Sequence, residues 1–333
     1  MKKRNLIFII VGLVLIVGIL TTILIVRGSI WQKEKVSDEF KQAQATFDIR
    51  LNSDHTEYYI YRLKSGANTD GATITIPDSV DGIPVTRLID RDLGFSSYNN
   101  ISKLIIGKNI SYIGTKSTIS SDETQELGDD FFSLATSLTA IEVSLENTSF
   151  SSHNGILYNK DQTVLLRYPA SKTMSNQQAS HRLVTEINLT TATKINDYAF
   201  SKCKSLEKVT IGNSVKSIGK SAFSGCENLV NVNFNNAPIK SIGTKAFERC
   251  HSLDTIVLPT QLEKLGSSVF MGCSQLVEIY FSNTILEIGR NCFTGCTSLE
   301  TIYTDFDFVD QLKVIFAQNN EKFIDYITGI SRN

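Results

Sequence analysis

Five turns of nearly equal length constrain this chain more than any other feature. Aligned on a phenylalanine, they stand at Phe200, Phe223, Phe247, Phe270 and Phe293, separated by 23, 24, 23 and 23 residues. An Ile or Leu lies five residues before each Phe, a Cys three after it (Cys203, Cys226, Cys250, Cys273, Cys296) and a Leu six after it (Leu206, Leu229, Leu253, Leu276, Leu299). Nine and eleven residues after the Phe come apolar pairs such as Val209/Ile211 and Ile279/Phe281, and that alternation is the period of a strand. One such turn cannot bury its own apolar side chains, so the turns must stack, Phe on Phe and Leu on Leu, with parallel strands about 4.8 Å apart.

The same grid fits two earlier, degenerate copies. Phe95 carries Ile101, Leu104 and Ile106 at the required offsets, and Phe132 carries Ala135, Leu138, Ile141 and Val143, both without the Cys. Residues 115–130 form a polar, acidic insertion that reads as an edge loop. A second insertion spans 144–190, in which Ile156-Leu157-Tyr158 and Val164-Leu165-Leu166 flank turn residues and read as a hairpin. Ahead of the array, residues 47–73 read as a hairpin cap, and at the far end residues 305–333 read as a helical cap. The fragment Gly219-Lys220-Ser221 imitates the end of a phosphate loop, but the required earlier Gly is Ser214, so it belongs to the repeat.

Residues 74–304 resemble the BspA-type (Treponema-type) leucine-rich-repeat family, most clearly in "LEKVTIGNSVKSIGKSAFSGC" from Leu206 to Cys226. "ITIPDSVDGIPVTRL" at Ile74 is similar to the family's usual entry, and "NGILYNKDQTVLLRYP" at Asn154 to its inserted hairpin. The resemblance implies an α/β repeat solenoid, a right-handed leucine-rich-repeat coil with short parallel strands. It also implies a bacterial cell-surface protein generally used for binding or adhesion, and it carries no catalytic residues. Ser or Gly stands at several of the family's Pro positions, and Cys292 replaces its usual Ala.

The amino terminus has a different composition. After Lys2, Lys3 and Arg4, the uncharged run Leu6–Val26 is 21 residues long and spans about 30 Å as a helix, enough to cross a bilayer once. The basic cluster ahead of it outweighs Arg27 behind it. That predicts a signal anchor at residues 6–26, a cytoplasmic tail at 1–5 and everything after Arg27 outside. A cleaved signal peptide is the alternative, although the run is long for one and no small-x-small site follows it. Residues 27–46 read as a stalk, helical over its polar second half.

Net charge is −1, from 33 basic and 34 acidic residues, so no global basic field favours nucleic acid as a partner. The stacked Cys column would bring thiols about 5 Å apart, but without the orientation a disulfide requires, and free buried thiols are expected. Cys292 and Cys296 form C-x-x-x-C without a nearby His. His55, His153, His181 and His251 are scattered, and no metalloprotease, nucleophile-elbow or calcium-loop pattern occurs. Asp122, Glu123, Glu126, Asp129 and Asp130 read as a solvated charge run. The chain is therefore expected to be no enzyme and to need no cofactor or metal.

Binding would then fall to the strand face turned away from the core. Alternation places Ile105, Glu142, Thr210, Asn233, Val257, Tyr280 and Tyr303 in one outward column, with Lys103, Ala140, Lys208, Asn231, Thr255, Glu278 and Thr301 beside it. The candidate ligand-binding residues are Asn233, Val257, Glu278, Tyr280 and Tyr303, because exposed tyrosines give large contact area at small entropic cost. The competing expectation is that the chain's own end, with Phe308, Leu312, Ile315, Phe316, Phe323 and Ile327 at near-helical spacing, covers them. The functional expectation is a membrane-anchored adhesion protein that contacts an extracellular protein or glycan. The alternative is an assembly partner of another envelope protein, acting through the membrane helix and stalk.

Overall fold

The computed structural model describes residues 37–64, 71–89, 101–114, 131–132, 135–172, 186–189 and 191–331. The expected tail and anchor at 1–26, Phe95, the insertion at 115–130 with its acidic run, and much of 173–190 lie outside these residues. Among the described residues no helix is long and apolar enough to cross a membrane.

The turn that follows Ile195 shows how each repeat is built. Strand Lys208–Ile211 pairs in parallel with Asn231–Asn233, and strand Ser217–Ile218 with Ser241–Ile242. The Phe segment between such strands is not a helix, which corrects the α/β expectation to a β-solenoid. Tyr198 and Lys202 adopt φ of 56° and 60°, a left-handed conformation that a right-handed helix cannot accommodate. The N–H groups of Tyr198, Phe200 and Lys202 donate instead to the carbonyls of Lys220, Ala222 and Ser224 in the next turn, at 2.9, 2.7 and 2.8 Å. All three sides of the coil are thus tied turn to turn, which satisfies backbone groups that burial would otherwise leave unpaired.

The side chains repeat the same logic. Phe200, Phe223, Phe247, Phe270 and Phe293 form one continuous stack, with centroids 4.8, 5.2, 5.7 and 6.0 Å apart. Tyr168 begins this stack against Phe200, and Phe316 ends it against Phe293 at 5.6 Å. From Cys226 onward each column thiol donates to the carbonyl of the Phe in the preceding turn, as in Cys250 Sγ to Phe223 O at 3.3 Å and Cys273 Sγ to Phe247 O at 3.1 Å, while Cys203 Sγ faces the Tyr168 carbonyl at 3.9 Å. All six cysteines are free and buried. Gly219 and Gly243 stack backbone on backbone, since a Cβ on Gly243 would lie 2.6 Å from the Gly219 carbonyl carbon. Between the glycine ladder and Ser221, Lys220 N–H donates to Asp197 Oδ1, and its ammonium lies over the Tyr198 ring.

Two apolar cores result, one built from Phe47 to Leu166 and one from Tyr158 to Ile327. The hairpin Ile156–Asn159 and Val164–Arg167 separates them. Leu157 and Leu166 belong to the first core, Tyr158 and Leu165 to the second, because alternate strand residues face opposite ways. A further strand, Phe150–His153, pairs with this hairpin and makes it a meander. Arg167, only 1% exposed, joins the two halves by donating to the carbonyls of Phe132, Tyr198 and Ser201.

At the amino-terminal end, helix α1 (Asp38–Thr46) does not stand free. Its cap residue Ser37 accepts from Phe40 N–H and donates to Asp81, Glu39 accepts from Asp81 N–H, and Phe40 packs on Tyr58. Strands Phe47–Leu51 and Tyr58–Leu63 pair antiparallel beside it. At the other end, helix α2 (Val309–Ala317) buries Leu312, Ile315 and Phe316 over the last turn. Past the short 3-10 turn Glu321–Tyr326, Ile327 falls on strand Ile327–Ile330, which pairs in parallel with Thr301–Asp305. The segment after 317 therefore ends as a strand added to the sheet and not as a longer helix.

Candidate functional site

The strand register brings the outward column together. Val257, Tyr280 and Tyr303 are consecutive partners across Thr255–Val257, Glu278–Tyr280 and Thr301–Asp305, and Thr328 of the terminal strand continues the row. The rings of Tyr280 and Tyr303 stack at 4.6 Å with 21° between their planes. Glu278, in the neighbouring column, accepts from both phenols: Tyr280 Oη donates at 3.0 Å and Tyr303 Oη at 3.4 Å. Desolvation and this carboxylate push the Tyr280 phenol above its ordinary range, so it remains a donor at neutral pH. Both rings are half-buried and Val257 is exposed to 55%. The terminal segment does not cover them: its helix sits over the end of the coil, on Phe281 and Phe293, and its strand extends the same sheet.

Asn233 is exposed but belongs to a different sheet. The strand ladder stops at Asn231–Asn233 and restarts at Thr255–Val257. The cause is the one 24-residue spacing, whose extra residue is absorbed where Asn235 and Asn236 take φ of 44° and 56°. Asn tolerates that region better than most residues. The break opens a groove of about 470 Å³ lined by Asn231, Asn233, Asn236, Asp254, Thr260 and Val257 among others. It lies beside the tyrosine row and carries amides, hydroxyls and one carboxylate. The odd spacing was the sequence signal for it.

Among the described residues no group of three or more His, Cys, Asp or Glu side chains is placed to hold a metal ion. Burial pushes the thiols of Cys203, Cys292 and Cys296 up to about 12 and those of Cys226, Cys250 and Cys273 well above the ordinary value, so the column is chemically quiet at neutral pH. The arrangement offers contact surface and hydrogen-bonding groups.

Residues 185–321 match the family model of the BspA type leucine rich repeat region, in six copies. This chain carries a BspA-type leucine-rich-repeat region. The solved structure of the pneumococcal vaccine antigen PcpA is similar in fold, with a TM-score of 0.53 and 18% identity over 86% of this chain and 100% of that one. A leucine rich cell surface protein from Faecalibacterium prausnitzii A2-165 aligns over 86% of this chain and 97% of its own, at 17% identity and a TM-score of 0.48. A leucine rich repeat protein of T. pallidum aligns over 83% and 96%, at 20% identity and a TM-score of 0.39. No curated protein matches the sequence. Repeats of this type are generally binding scaffolds, which supports a binding role for the region here.

Proposed function

We propose that this is a cell-surface adhesion protein whose coil presents the strand face around Tyr280 and Tyr303 to an extracellular protein or glycan. In this reading residues 6–26 anchor the chain in the membrane, with the amino terminus in the cytoplasm and the repeats outside. The observation that carries the proposal is the stacked tyrosine pair, held by Glu278 and left uncovered by the chain's own end. Rings fixed in advance lose little entropy on contact, and a flat aromatic pair flanked by exposed Val257 and the polar groove at Asn233 offers both apolar area and hydrogen bonds. The stacked Phe, Leu and Cys ladders serve to hold that face rigid.

The test is capture by the full-length chain in detergent on an array of matrix proteins and envelope glycans, beside a Tyr280→Ala/Tyr303→Ala variant of matched thermal stability. Capture by the wild type that weakens at least tenfold in the variant supports the site; equal capture by both overturns it. Replacing residues 6–26 with an unrelated anchor separates the alternative. Surface function lost after that exchange, with array capture intact, would favour a membrane partner instead.

A further inference from the structure

A second groove, of about 590 Å³, lies on the loop edge of the coil, ahead of the sheet strands and away from the tyrosine row. Its construction follows from one repeat position, the residue just before each Cys. That position is left-handed throughout and is Gly in three turns, Gly225, Gly272 and Gly295. In the other two it is a cation, Lys202 at φ 60° and Arg249 at φ 57°. A side chain there is strained, whereas glycine is not. The two exceptions share a chemistry, a positive charge.

The order of these residues makes a cradle. Lys202, Gly225 and Arg249 occupy three successive turns, so the bare glycine forms a floor between two cationic walls about 10 Å apart. The Lys202 stem reaches over that floor: its Cγ would lie 3.4 Å from a Cβ on Gly225. Lys204, Ser205, Ser224 and one carboxylate, Glu227, line it as well. Lys204 is paired with Glu227 at 2.7 Å, but among the described residues neither Lys202 nor Arg249 has a carboxylate within 4.0 Å. Two unneutralised cations therefore face one depression.

We propose that this groove is a second binding site, for an anionic polysaccharide bearing sulfate or phosphate groups. Charge complementarity selects an anion. Among the described residues the lining contains no aromatic ring on which a base would stack, which disfavours single-stranded nucleic acid. The described lining also holds no large apolar side chain that would seat a peptide anchor, while its serine hydroxyls suit sugar hydroxyls.

The experiment measures binding of the full-length chain in detergent to immobilised dextran sulfate, uncharged dextran and poly-glutamate across a salt series. Dextran sulfate is expected to bind at least tenfold tighter than either of the others, and more weakly as salt rises. The Lys202→Gly/Arg249→Gly variant takes the residue of the sibling turns, so its melting temperature should not fall, and its affinity for dextran sulfate should drop at least tenfold with a shallower salt dependence. A charge-matched Lys216→Ala/Lys313→Ala variant should keep its affinity. Equal binding to poly-glutamate or to plain dextran, undiminished binding by the glycine variant, or an equal loss in the charge-matched control would each overturn the proposal. Tyr280→Ala/Tyr303→Ala should leave this binding intact, so the two sites fail or stand separately.

Discussion

Phe247 lies between two parallel rings, 5.2 Å from Phe223 and 5.7 Å from Phe270, and is fully buried. Phe247→Ala would leave a cavity that neither neighbour can fill, because backbone hydrogen bonds fix the rise between turns. The expected cost is about 3–5 kcal/mol, read as a lower urea midpoint. The thiols beside these rings give the second residue-level prediction. Their folded pKa values are raised above the ordinary 9.0, to about 12 at Cys203, Cys292 and Cys296, chiefly through desolvation. Below pH 9 the thiols are neutral in both states, and their contribution is fully present. As pH rises past 9 the unfolded chain loses protons that the folded chain retains, so stability falls progressively toward pH 12. Urea midpoints at pH 7, 9 and 10.5 should decline over the last interval, and a Cys-free variant bearing Ala at these positions should show a smaller decline; identical curves would contradict the assignment.

The two strand ladders that should have been one sheet differ by a single inserted residue. Asn235 and Asn236 accept left-handed conformations so that Phe234 and Ala237 both remain buried on either side of the bulge. The sheet break is thus the consequence of keeping the core in register at the expense of the surface ladder. Deleting Asn236 restores the 23-residue spacing and should join Asn231–Asn233 to Thr255–Val257. The expected signs are slower hydrogen exchange at Thr255–Val257 and a higher melting temperature, by a few tenths to about 1 kcal/mol of stability. The groove beside the tyrosine row would close, so the same deletion also reports how much of ligand capture depends on it.

Across the whole molecule, the inserted meander decides how the coil behaves as a unit. Its strands give alternate residues to two cores, and Arg167 ties the carbonyl of Phe132 on one side to those of Tyr198 and Ser201 on the other. Arg167→Ala removes these donors: Phe132 O and Tyr198 O keep the N–H groups of Ala135 and Ser201, whereas the Ser201 carbonyl loses its Arg167 donor, at a cost of about 1–3 kcal/mol. Stacked coils couple mainly through neighbouring turns, so loss at this joint should separate the halves. Thermal unfolding of the variant is expected to become biphasic, with hydrogen exchange of residues 140–143 accelerating before that of 208–211; a single transition would show that the cores are coupled by another route.

The recurrence of Phe, Cys and Leu at 23 residues was enough to establish stacking, the parallel register and which residues are buried, because a turn of that length has no other way to hide its apolar side chains. The outward column at Tyr280 and Tyr303 was legible for the same reason: once the buried strand residues are known, alternation assigns the rest. Helical content was not legible. The segment from Tyr198 to Lys202 has helix-compatible residues, and only contact with the next turn shows that its N–H groups are satisfied there. Nor could local sequence reveal that Glu278 clamps both phenols, that α1 docks on Asp81, or that Lys202 and Arg249 face each other across Gly225. Those relations join residues brought close by stacking or by end packing, and their distances are set only when the whole coil is built.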